Sequence, residues 1–168
     1  MTGQAAPDYR SPTLAVWHHS VDFAADARFM SAYRSGMGTA AGFFARAGIP
    51  GDVAHEWPVA VACWAGWHAA RLDGDFVECG VNTGILARAV CEFVGFNALD
   101  RDFYLFDTFA GIPKEQMSPA ELEGGRDLMS RRVYAECHAE VARTFALFPR
   151  VRLVRGVVPD TLASVSID

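Results

Sequence analysis

Apolar positions recur at helical spacing through roughly the first 70 residues, and β-rich runs begin only after Gly74. Residues 1–13 hold two prolines among small polar residues and predict a loose arm. Over residues 14–48, Val21, Phe23, Phe29, Tyr33, Met37, Phe43 and Phe44 supply apolar helix faces, with an interruption expected at "SGMG", residues 35–38. "AGIPGD", residues 47–52, reads as a break. Over residues 55–71, Val59, Ala62, Cys63, Gly66 and Trp67 recur at helical spacing and predict a core helix.

From residue 75 the pattern changes. "DFVECG" is a short β-rich run, and "GILARAVCEFVGF" is helical, with Ile85, Leu86, Ala89, Val90 and Phe93 on one face. "DFYLFDTF" is a second strand, and residues 113–132 read as a polar, partly helical surface insertion. "VYAECHAEVARTFALF" spaces Val133, Cys137, Val141 and Phe145 four apart and predicts one amphipathic helix. "RVRLVRGVV" is a third strand, and "PDTLASV" opens another helix with Asp160 as its cap. Strands alternating with helices argue for a parallel sheet with helical crossovers. The chain divides into an N-terminal arm and helical region, 1–73, and a sheet-bearing region, 74–168.

Composition narrows the partners. A chain of 168 residues suits one core, and its net charge of −5 offers no general attraction to nucleic acid or an anionic membrane. Arg131-Arg132 and Arg150, Arg152 and Arg155 are short basic clusters that read as solvated faces. Cys63, Cys79, Cys91 and Cys137 lie far apart with no metal-ligand spacing, which suits free thiols in a reducing cytoplasm. The N-terminus has no signal pattern, and the longest apolar run, residues 57–70, is too short to span a bilayer and contains His68.

The chemistry centres on "FVECGVNTG". In an open α/β sheet, ligands bind where a strand's carboxyl end enters the next helix, and Glu78 to Gly84 occupy that place after the first strand. Asn82 stands where the dinucleotide fingerprint has its second glycine, and no G-K-[ST] follows, so neither a pyrophosphate cradle nor a P-loop is indicated. An acid two residues before the first glycine suits a ligand with a positive charge and an amino-acid end, as in S-adenosylmethionine. Asp107 closes the second strand, where a carboxylate can accept both ribose hydroxyls. A nicotinamide- or sugar-nucleotide-binding enzyme on the same kind of sheet, and a non-catalytic binding module, are the competing readings.

"GDFVECGVNTG", "FDTFAGIP" and "VRLVRGVVPDTL" resemble, in order, blocks of the macrocin O-methyltransferase (TylF-type) family, with "EWPVAVACWAGWHAARL" leading into the first. The resemblance covers about residues 55–164. It implies a Rossmann-like class I methyltransferase fold and transfer of a methyl group from S-adenosylmethionine to a hydroxyl of a small molecule, such as a sugar or another natural product. Position by position, it implies that Glu78, Cys79, Gly80, Val81, Asn82 and Gly84 lie against the methionine and ribose. Asp107 would take the ribose, Thr108, Phe109 and Gly111 would shape the adjoining wall, and Gly156 would lie near the adenine with Asp160 and Thr161 close by.

The family's sheet has about seven strands, and three are legible here. The expectation is therefore a sheet truncated after about three parallel strands, the cofactor-binding portion of a longer enzyme. A divalent metal such as Mg would belong to that longer parent, with ligands not in this chain. His18, His19, His55, His68 and His138 include no identifiable base, so no catalytic residue is named. Tyr33, Trp57, Trp64 and Trp67 read as core at their helical spacing, with part of an acceptor pocket as the alternative. A small-molecule acceptor and a homo-oligomer are the expected partners, without nucleic acid or membrane.

Overall fold

Short apolar strands alternate with amphipathic helices after residue 74 because each strand must bury at least one face against a neighbouring layer. A computed structural model describes residues 6–11, 14–49 and 53–168. Its strands are β1 (Tyr9–Arg10), β2 (Ala15–Val16), β3 (Phe76–Cys79), β4 (Phe103–Asp107) and β5 (Val151–Arg155). Its helices are α1 (Ala27–Gly38), α2 (Ala41–Ala47), α3 (Glu56–Ala69), α4 (Ile85–Val94), α5 (Pro119–Glu123), α6 (Arg126–Val133) and α7 (His138–Phe145). β3, β4 and β5 form a parallel sheet in that order, with Phe76 opposite Phe103 and Phe103 opposite Val151. The α/β sheet with parallel crossovers and a helical region before it is thus observed.

Helix α4 organises the packing because it is apolar on two sides. Ala87, Val90 and Cys91 join Phe76, Phe96, Phe103 and Leu105 of the sheet region, together with Val141 and Phe145 of α7, in one buried cluster. Ala89, on another side, joins Phe29, Ala32 and Tyr33 of α1 and Val59 and Cys63 of α3 in a second. The helices of residues 1–73 therefore pack directly on the first crossover helix.

Both contacts depend on glycine. A Cβ at Gly36 would sit 2.5 Å from the Ile85 carbonyl oxygen, and one at Gly66 would sit 2.8 Å from a Val90 methyl. This close approach is why α1 runs unbroken through residues 35–38, where an interruption was expected. Asp26 starts that helix by accepting the Phe29 N–H at 2.6 Å, and the chain breaks only at Thr39 and Ala40.

Other expectations also change. Residues 9–10 and 15–16 pair as an antiparallel hairpin rather than a loose arm, while residues 1–5, 12 and 13 lie outside the described residues. The expected break at residues 47–52 begins with Gly48 in the left-handed region, and residues 50–52 again lie outside the description. Helix α3 is only half covered: Val59, Cys63 and Gly66 are buried, but Trp64 is 63% and Trp67 40% exposed. Those two tryptophans are surface residues, not core, because no described element covers the outer face of α3. Tyr33 is buried, and Trp57 packs on Tyr9 and Phe23.

The single helix expected over residues 133–148 is divided. α6 ends at Val133 and α7 starts at His138, because the Cys137 N–H donates to the Phe109 carbonyl at 2.9 Å instead of continuing a helix. Asp160 is not a cap: residues 162–164 form a 3-10 turn, and the Thr161 hydroxyl and N–H both bond the Val157 carbonyl. The chain then returns to the sheet, where the Tyr104 hydroxyl donates to the Ser166 carbonyl and the Asp75 N–H to that of Asp168. Among the described residues no helix is long and apolar enough to cross a membrane.

The Gly36 contact yields a paired test. Gly36→Ala is expected to destabilise the fold by about 1–3 kcal/mol, since a backbone oxygen cannot move aside cheaply. Gly38→Ala meets nothing within 4 Å and is expected to stabilise by up to about 1 kcal/mol through helix propensity. Urea unfolding of the two variants beside the parent chain measures the difference.

Candidate functional site

The strands β3, β4 and β5 end at Cys79, Asp107 and Arg155, and all three carboxyl ends open on one cleft of about 310 Å³. Gly80, Asp107 and Gly156 contribute to its lining from the three strand ends. Parallel register brings these ends level, so the loops that follow them face the same space.

Asp107 holds the first two loops together. Its Oδ2 accepts the N–H groups of Val81 at 2.7 Å and Asn82 at 2.8 Å, and its Oδ1 accepts that of Phe109 at 2.6 Å. The Thr108 hydroxyl approaches Oδ1 at 3.4 Å and donates to the Gly111 carbonyl at 2.6 Å. An ionised carboxylate has about four acceptor positions, and three are occupied by backbone N–H groups. Room for one further strong donor remains on Oδ1, rather than for both hydroxyls of a ribose. Asn82 and Phe109 take φ of 50° and 53°, a left-handed conformation uncommon outside glycine. Each has its N–H on Asp107, which supplies the force that keeps it there.

Glu78 is the other acid near this loop, and the Ala87 N–H in the first turn of α4 favours its charged form. Burial, and then repulsion from Asp107, raise its pKa from 4.5 to about 7, with the Ala87 N–H opposing them. Gly84 is the residue before that helix, at φ 90°, and a Cβ there would meet the Phe145 ring at 2.8 Å. Gly80, at φ 88°, differs: a Cβ there would meet nothing within 4 Å, so its backbone is open beside the cleft.

The predicted site residues fall into two groups. Gly80, Asn82, Asp107, Thr108, Phe109, Gly111 and Gly156 line the cleft. Glu78, Cys79, Val81 and Gly84 do not. Glu78 is a half-buried residue of β3, Val81 is buried in the core, Gly84 packs on Phe145, and Cys79 is an exposed strand residue. Asp160 and Thr161 also lie outside the lining. Phe106, Ile112, Pro113, Gln116, Tyr134, Ala135, Cys137, Val157 and Val158 complete the wall without having been singled out. Phe106, Ile112 and Pro113 had a signal as members of "FDTFAGIP", and Val157 and Val158 as members of "VRLVRGVVPDTL"; Tyr134 and Ala135 were concealed by the apparent continuous helix. Burial and the surrounding acids push the Cys137 thiol up to about 11, so it is a packing group that donates weakly to the Asn82 carbonyl.

The histidines do not gather here. His68 packs between Trp64 and Trp67, and the His138 ring lies against Phe109. Among the described residues no group of three or more His, Cys, Asp or Glu side chains is placed to hold a metal ion.

Residues 61–168 match the family model described as Macrocin-O-methyltransferase (TylF). Among solved structures, that of the O-methyltransferase NovP is similar in fold, with a TM-score of 0.55 at 22% identity. The match covers 71% of this chain and 54% of that one, so the chain spans about half the length of that structure. No curated protein matches the chain.

The Glu78 geometry carries a pH signature. Because its folded pKa of about 7 lies above the ordinary 4.5, the native state binds the proton more tightly than the unfolded chain. Stability from this group is greatest below pH 4.5 and falls as pH rises to about 7, by at most about 3 kcal/mol. Glu78→Gln keeps the size and a polar oxygen of the side chain and removes the titration. Urea unfolding from pH 4.5 to 7.5 is expected to show the parent chain losing stability relative to this variant.

Proposed function

Because the chain belongs to the macrocin O-methyltransferase (TylF) family, we propose that its cleft receives S-adenosylmethionine for methyl transfer to a hydroxyl of a small molecule. The observation that carries this reading is the convergence of "CGVN", "FDTFAGIP" and "GVV" on one cleft at the carboxyl ends of three parallel strands. A ligand lying there meets open backbone at Gly80 and apolar walls at Ile112, Pro113, Val157 and Val158. Those walls suit the faces of a purine, and the glycine loop suits the amino-acid end. Behind the loop, Glu78 and Asp107 are close enough to repel each other, and their field favours a cationic sulfonium over a neutral or anionic group.

When bound, the sulfonium supplies an electrophilic methyl group for an acceptor oxygen. The part of this chain is orientation: it holds the donor by the loops that Asp107 ties together, so that the methyl faces a fixed direction. A sugar or another natural product is the acceptor class we favour. The described residues do not fit a divalent metal, and no step is assigned to one. The nicotinamide alternative lacks a glycine at Asn82, whose φ of 50° is held instead by the Asp107 bond.

Ala135, in the cleft wall, allows a test that leaves the Asp107 anchor alone. Isothermal titration with S-adenosylhomocysteine is expected to show binding by the parent chain. Ala135→Trp, which fills the cleft, is expected to bind at least about tenfold more weakly, a difference of about 1.4 kcal/mol. A folded parent chain that fails to bind, or a folded variant that binds equally well, contradicts the proposal. Preferential binding of NAD would favour the nicotinamide reading instead.

A further inference from the structure

Of the polar side chains that line the cleft, the Asn82 amide and Tyr134 hydroxyl have no hydrogen-bond partner among the described residues and so no fixed direction, while three others are engaged within the protein. Asp107 accepts three backbone N–H groups, the Thr108 hydroxyl donates to the Gly111 carbonyl, and the Cys137 thiol faces the Asn82 carbonyl. Gln116 is different. It closes a 3-10 turn, Lys114–Gln116, anchored by buried Met117 and by the 3.2 Å Lys114–Asp127 ion pair. From this turn its side chain reaches the loop after β5, where Nε2 donates to the Val158 carbonyl at 2.9 Å. One half of the amide is bonded, and the other, Oε1, accepts from no protein donor among the described residues of this cleft-lining side chain.

That bond makes the amide directional. A free glutamine can turn over and present either a donor or an acceptor. Val158 offers a carbonyl, which only accepts, so the nitrogen of Gln116 must face it and the oxygen must face away. Beside it, the N–H groups of Val157 and Val158 donate to no protein acceptor among the described residues. The end of the cleft near Gly156 therefore presents a fixed acceptor next to unused donors. Adenine carries the complementary pair on its pairing edge, an exocyclic amino donor beside a ring-nitrogen acceptor. Hypoxanthine, with a carbonyl and a ring N–H in those places, carries the reverse.

We propose that Gln116 selects the base of the bound nucleoside, its Oε1 accepting the adenine amino group while Val158 locks the amide in that orientation. This inference rests on the cleft taking an adenosyl ligand. Specificity then comes as much from rejection as from attraction, because a carbonyl placed opposite Oε1 sets acceptor against acceptor with no amide rotation to relieve it.

The test compares S-adenosylhomocysteine with S-inosylhomocysteine, by isothermal titration of the parent chain and of Gln116→Met. Methionine keeps the length and apolar bulk of the side chain but makes neither bond. The parent chain is expected to prefer the adenosyl ligand by about tenfold, and the variant to bind the two within about threefold of each other. Unchanged unfolding midpoints would show that the exposed turn tolerates the change. A variant that retains the parent's ratio, or a parent chain that shows no preference, overturns the role of Gln116 while leaving the cofactor reading in place. A folded parent chain that binds neither ligand overturns both.

Discussion

One carboxylate joins two of the three strand ends that make the cleft. Asp107 receives Val81 and Asn82 on one oxygen and Phe109 on the other. Hydrogen bonds to a charged group are worth about 1.5–3 kcal/mol each. Left-handed conformations at residues other than glycine cost about 1–3 kcal/mol each, and the anchor offsets two of them, at Asn82 and Phe109. Consequences spread from there. Phe109, held in that conformation, accepts the Cys137 N–H, and Cys137 in turn reaches the Asn82 carbonyl. The loops after β3 and β4 and the start of α7 thus form a closed ring of contacts, and residues 134 and 135 are turned to the cleft rather than into a helix.

The second acid works on the other side of the same loop. The first-turn Ala87 N–H of α4 favours the charged form of Glu78, while Gly36 and Gly66 let α1 and α3 settle against that helix. Repulsion between Glu78 and Asp107 is the electrostatic cost of placing two acids behind one loop, and a cation in the cleft would relieve it. That links the fold's internal strain to the charge of the ligand we propose.

Much of this was legible in the residues. The strand ends, the glycine loop and "FDTFAGIP" were identifiable because each joins an apolar run to residues with special backbone freedom or charge. The roles of the acids were less so: Asp107 and Glu78 read as ligand contacts, whereas Asp107 takes three backbone N–H groups and Glu78 lies outside the cleft lining, and no side-chain pattern reveals either. Gly36 read as a helix break because propensity is local, and its tight packing on Ile85 comes from an element nearly fifty residues away. Val133, Cys137, Val141 and Phe145 kept helical spacing across a real break, since Cys137 is buried whether or not the helix includes it. Gln116 gave no signal, because its meaning depends on the Val158 carbonyl.

The central claim is that the loops tied by Asp107 form the receiving surface for an adenosyl ligand. The most direct measurement is a nitrogen–proton NMR titration of the labelled chain with S-adenosylhomocysteine, following assigned amides. The account predicts saturable shifts concentrated at Gly80, Asn82, Thr108, Gly111 and Gly156, with Trp64 and Trp67 on the outer face of α3 unmoved. Shifts confined to that outer face, or none at saturating ligand in a folded sample, would contradict it.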